Sequence, residues 1–199
     1  MKLLKTILLF FALTVGISGQ GVFYENSSSS WVQSATYSAV VYAVGGAPGI
    51  ATDGTDVACD DGDRHISQIM IPYRMTITGI FYMVGSVGGT DSVIVDLYNS
   101  AGTLVTGGSS ITAGGDAEVL VSTAATFQKV PFDGGTITID PGTYYISATF
   151  DGTTAKYRAY VVAGSPFVAL TEAGTFGTAA SITPGTTFTA SEGIIGGVY

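Results

Sequence analysis

The stretch "TDGTDVACDDGDRH", residues 52–65, gathers most of the chemistry that the chain displays. Asp53, Asp56, Asp60, Asp61 and Asp63 supply hard oxygen ligands of the kind that Ca²⁺ collects in sets of about six to eight. They are five of the fifteen acidic residues. Their spacing is not that of an EF-hand loop, and the glutamate that closes such a loop is missing. The same residues also suit a solvated loop, because Asp and Gly make turns by local hydrogen bonding and by tolerating positive φ. Cys59 and His65 lie six positions apart in this loop, each alone of its kind. A Cys–His nucleophile needs a base in contact with the sulfur and a third group that orients the base. The plainer expectation is a buried thiol beside a surface histidine.

The tyrosines are the second source of chemistry. Planar rings match the apolar faces of sugars, and Tyr144, Tyr145 and Tyr160 are the candidate glycan contacts. Tyr144 and Tyr145 are adjacent, so on a strand they face opposite ways and one is expected to be exposed. The alternative is that the rings fill the core or cap its ends. On the strand expected around Lys156, Arg158 and Tyr160, the alternation places these three on one face, where they suit either an acidic sugar or the solubility of an edge strand. Asp91, Asp96, Asp116, Glu118 and Glu172 are scattered, and no pair stands out as the two carboxylates of a glycosidase. Asp96 interrupts "VIVDLY" and is expected on a solvent face of its sheet. With no Gly-x-Ser-x-Gly elbow, phosphate loop or HExxH motif in the sequence, no catalytic residues are assigned and the chain is expected not to be an enzyme.

Strands must position these residues. The chain has 28 Gly, 10 Phe, 11 Tyr and only 22 charged residues, a composition that writes strands and turns rather than long helices. Its net charge of −8, without a Lys/Arg cluster, excludes a nucleic-acid surface. One cysteine excludes an intrachain disulfide.

The N-terminus "MKLLKTILLFFALTVGISGQG" orders two lysines, a short apolar run and small residues as a secretory signal peptide does. The run is shorter than a bilayer span needs, so no permanent membrane span is expected. Residues 1–20 are therefore read as a leader or, alternatively, as an apolar assembly arm. Residues 21–34 are read as a Ser-rich linker, and residues 35–199 as a single domain.

Within that domain, period-two alternation marks strands at Ala35–Val44, Ile66–Ile71, Met75–Val84 and Val93–Tyr98. Asn99-Ser100-Ala101-Gly102 turns the last of these into a hairpin with Thr103–Val105. Further strands are expected at Ala117–Val121, Thr126–Phe132, Thr136–Ile139 and Phe167–Leu170. Thr143–Val162 reads as a second hairpin tipped by Asp151-Gly152. About nine or ten short strands without an amphipathic helix predict an all-β fold, an antiparallel β-sandwich or jelly roll.

Three segments, "TITGIFYMVGSVGGTDSVIVDLYNSAGTLV", "ATFQKVPF" and "PGTYYISATFDGTTAKYRA", together spanning Thr76–Arg158, resemble β-sandwich domains of bacteriophage structural proteins of the head-fibre and tail-fibre type. The resemblance implies a non-enzymatic module of a virion surface, assembled as a homo-oligomer or with other virion or surface proteins. Its motifs are turns and core strands, which specify fold rather than activity. The alternative is a secreted carbohydrate-binding or adhesion sandwich, with exposed tyrosines and calcium in the acidic loop. A cleaved leader implies an exported, extracellular or cell-surface protein, and a retained one a virion-surface location.

Overall fold

The computed structural model describes residues 54–111, 119–123, 125–159 and 168–199. All of them fall within one compact unit, Thr36–Tyr199. The leader, the linker, the strand expected at 35–44, Asp53 and Tyr160 lie outside the described residues.

Thirteen strands and no helix are found among these residues. They are β1 (Thr55–Ala58), β2 (Asp63–Ile71), β3 (Met75–Ile77), β4 (Gly79–Met83), β5 (Ser92–Asn99), β6 (Leu104–Ser109) and β7 (Val119–Leu120), then β8 (Phe127–Pro131), β9 (Ile137–Ile139), β10 (Gly142–Phe150), β11 (Lys156–Ala159), β12 (Ala169–Ala173) and β13 (Gly196–Val198). The main sheet runs β12-β2-β10-β5-β6, with β7 also on β5. Facing it are the antiparallel set β13-β4-β8 and the pairs β3-β9 and β1-β11. Bridges from Tyr157 to Val84 and from Ala159 to Ile194 stitch β11 to this second layer.

Alternation decides which side chains meet between the layers. Ile69, Ile71, Val93, Val95, Leu97, Ile146, Ala148 and Phe150 of the main sheet form one core with Ile77, Ile80, Tyr82, Val130, Tyr157 and Val198 of the other layer. This is the expected all-β sandwich. The hairpin at Asn99–Gly102 also forms as expected. The Asn99 side chain accepts from the Ala101 and Thr103 amides at 2.9 and 3.1 Å, and Gly102 N–H donates to the Asn99 carbonyl at 2.9 Å.

The second expected hairpin does not form. β10 pairs with β2 and β5, whereas β11 pairs with β1. Asp151-Gly152 therefore begins an arch between layers rather than a turn within one. Side-chain hydrogen bonds across to the start of β5 distinguish the two. Asp151 accepts from Ser92 N–H at 2.5 Å, while Asp91 accepts from Thr154 and Ala155 N–H at 2.8 and 2.7 Å.

The outer face of the main sheet is covered too. Ile66, Tyr98 and Tyr145 point to that face and pack with Val168 and Ile182, and Ile182 N–H donates to the Gly102 carbonyl at 2.9 Å. After this cover the chain crosses back between the layers. Thr189 N–H binds the Ala169 carbonyl at 2.8 Å, Ser67 Oγ donates to the Ile194 carbonyl at 2.7 Å, and β13 joins β4. Gly193 makes the crossing possible, because a Cβ there would stand 2.5 Å from Ser67 Oγ and 2.7 Å from both Ala169 Cβ and the Ile66 carbonyl oxygen. Gly193→Val is expected to lower unfolding free energy by about 1–3 kcal/mol, read as a lower urea midpoint at unchanged slope. An unaltered midpoint would show that the crossing is loosely packed.

Candidate functional site

The acidic loop is divided among structural tasks. Asp56, on β1, pairs with Arg158 at 2.9 Å and accepts from Ser86 N–H at 3.2 Å. Asp60 lends its carbonyl to Asp63 N–H at 3.4 Å. Asp61 forms a backbone bridge with Phe150, and Asp63 opens β2 opposite Ala173. Among the described residues no three His, Cys, Asp or Glu side chains converge as metal ligands. The expected calcium set thus has four described members that do not come together, with Asp53 outside the described residues.

Cys59 is fully buried in the core. Burial raises its pKa strongly, assisted by the nearby Asp91 and Asp60 charges, so the thiol stays protonated and is a poor nucleophile. His65 is not the surface residue expected, being only 2% exposed. Its ring sits 4.5 Å from that of Tyr157 and 5.9 Å from that of Phe150. Tyr157 Oη lies 3.0 Å from His65 Nδ1 and 2.9 Å from the Glu192 carbonyl. A phenol has one proton; donating it to the carbonyl leaves the oxygen free to accept from Nδ1–H. Burial holds the imidazole below its ordinary 6.5, against the opposite pull of Asp63, the Glu192 backbone and Asp60. The histidine therefore fastens the crossing chain at Ser191–Glu192 rather than serving a thiol. Ser191, the one non-glycine residue with positive φ among those described (67°), also offers its carbonyl to Tyr157 Oη at 3.3 Å.

The glycan candidates are displaced as well. Tyr145 is 5% exposed beneath the Ile182 cover. Tyr144 is half-buried against the sandwich core, its hydroxyl donating to the Asp140 carbonyl at 3.1 Å. Neither is the exposed ring that alternation predicts, because both faces of the main sheet are packed. Tyr160 lies outside the described residues.

The polar group that sequence reasoning missed lies on that outer face. Register places Ser147 of β10 between Asp96 of β5 and Ile66 of β2, and Thr149 between Ile94 and Arg64. Arg64, Asp96, Ser147 and Thr149 are all at most 2% exposed. Asp96 was expected in solvent. Instead it accepts from Tyr98 Oη at 3.1 Å, and the Arg64 guanidinium carbon lies 5.9 Å from the Tyr98 ring centre. Arg64 Nε, Asp96 Oδ1 and Thr149 Oγ1 have no hydrogen-bond partner. Buried polar groups of this kind are costly unless paired, which sets this row apart from the apolar packing around it. The only sequence signal was the charge inside "VIVDLY".

With this geometry defined, comparison adds no relative: no protein-family model, curated protein or solved structure matches the chain.

Two buried carboxylates respond oppositely to pH. For Asp96, burial dominates and raises the pKa above 3.8, partly offset by Ser109, Tyr98 and Arg64. Its stabilising contribution is full below the unfolded value and is lost as pH rises through the folded value. For Asp91, burial also works against the charge, but hydrogen bonds from Ala155, Thr90 and Thr154 prevail and lower the pKa below 3.8. Its contribution is present above the unfolded value and is lost as pH falls through the folded one. Melting temperatures across the acid range should therefore show Asp96→Asn gaining on the parent as pH rises and Asp91→Asn losing to it. Parallel curves for both variants would contradict these environments.

Proposed function

We propose that the protein is a non-enzymatic structural module of a virion or cell surface, which assembles with copies of itself or with other surface proteins. The observation that carries this reading is where the reactive side chains are used. Asp56, Asp91, Cys59, His65 and Tyr157 are all engaged in holding layers, arch and crossing chain together. A general base or nucleophile must instead reach a substrate proton or carbon. The paired strands are packed on both faces of the main sheet, which suits a surface-assembly element. The resemblance of Thr76–Arg158 to phage fibre-type sandwiches supports the same role. A glycan-stacking platform built on Tyr144 and Tyr145 loses support, because these rings are half-buried and buried.

Two measurements on protein from its native source test the proposal. Sedimentation at micromolar concentration should give a discrete oligomer larger than the 20.3 kDa chain, or a stable complex with another surface protein. A monomer that labels to no particle or cell surface would overturn the assignment. The N-terminal peptide then separates the two locations. Loss of residues 1–20 indicates export, and retention of Met1 or Lys2 indicates a virion arm.

A further inference from the structure

Arg64 also faces a cleft, and its surroundings describe a ligand. The cleft has a volume of about 280 Å³ and is lined by Arg64, Glu172, Gly174, Thr175, Thr178 and Ser181 among others. That lies just below the about 300–1,000 Å³ of ligand pockets, so the cleft suits a single small unit. Arg64 contributes the buried guanidinium, 2% exposed, with Nε unpartnered and Nη2 only 3.5 Å from the Thr178 carbonyl.

The Arg64 charge acts on buried Asp96 within the sheet, but the carboxylate on the cleft side is turned away. Glu172 stands directly opposite Arg64 in the β12–β2 register, yet its carboxylate accepts from Thr183 N–H at 3.1 and 3.3 Å. Ion pairs among the described residues are Arg74–Asp140 and Arg158–Asp56, and Arg64 joins neither. A Cβ on Gly174 would lie 3.2 Å from Arg64 Cβ and 3.5 Å from both Nε and Nη2, so only the absence of a side chain there keeps the cleft against the buried Arg64.

We propose that this cleft binds an acidic monosaccharide unit, a uronic acid, with its carboxylate on Arg64. A planar guanidinium matches a carboxylate in two parallel hydrogen bonds. The rim residues Thr175, Thr178 and Ser181 carry hydroxyls suited to a polyhydroxylated ring, and the Glu172 carboxylate accepts from hydroxyls while opposing a phosphate dianion. This assignment is independent of self-assembly, and its test reads only the cleft.

The test is an NMR titration of the full chain with glucuronate, following the Arg64 Nε–H resonance, with glucose and acetate as single-feature controls. A saturable shift is expected with a millimolar Kd, and each control should bind at least about tenfold more weakly. Gly174→Val, which fills the space before the guanidinium, should abolish the shift. Ser181→Trp, at an exposed rim position, should do the same without disturbing the core. No saturable shift up to about 50 mM glucuronate, far above a millimolar Kd, overturns the proposal. So does glucose or acetate binding as tightly as glucuronate, or undiminished binding by a folded Ser181→Trp protein.

Discussion

Strand β10 is hydrogen-bonded along both edges and packed on both faces, and the rest of the molecule is arranged to make that possible. Its partners β2 and β5 satisfy the backbone, which inside a protein must be paired. Ile146, Ala148 and Phe150 fill the space between the layers. Tyr145, Ser147 and Thr149 point the other way, and with their neighbours they require a second cover. Burying large apolar side chains is the dominant favourable term, and Phe150, Tyr157 and Tyr82, all fully buried, concentrate it where the two layers meet. Phe150 and Tyr157 stack at 5.9 Å and 14°.

Two chain crossings close the sandwich, and each is secured by polar groups rather than by apolar packing alone. The arch from β10 to β11 is held by Asp91 and Asp151, whose oxygens take up amides that a loop would otherwise leave unpaired. The C-terminal crossing is held by Ser67, by the Tyr157–His65 pair and by the close approach at Gly193. Charge-assisted hydrogen bonds are about twice as strong as neutral ones, so a carboxylate suits a position where a chain changes layer. Reactive residue types thus end up as fasteners, which is the support for the proposed structural role.

The outer face of the main sheet breaks that economy. Its Arg64, Asp96, Ser147 and Thr149 side chains are buried without completing one another's hydrogen bonds. Apolar residues would pack there more favourably, because buried charges and hydroxyls without a full set of partners do not recover their desolvation cost. Of this row Arg64 lines the cleft beside Glu172 and Gly174, where the proposed recognition site lies.

Strands, one tight turn and the fold class were legible in the sequence because they depend on local rules. Alternation placed Val93, Val95 and Leu97 inward, and Asn99 turned the chain as its side chain dictates. Met75–Val84 was legible as extended chain, although it divides into β3 and β4 with different partners, β9 and β8. Alternation cannot say whether the second face of a sheet meets water or protein, so Asp96, Tyr145 and His65 were misplaced. Their burial depends on segments remote in sequence, including Ile182 and Glu192, which carry no periodic signature. Asp151-Gly152 likewise suits a hairpin or an arch equally well, until Asp91 and Ser92 hold it across the sheet. Sequence alone marked most of the extended segments and which side chains share a face, although β1 and the start of β2 fall in the stretch read as an acidic loop; the tertiary structure decided what covers each face, because burial is a property of distant chain segments brought together.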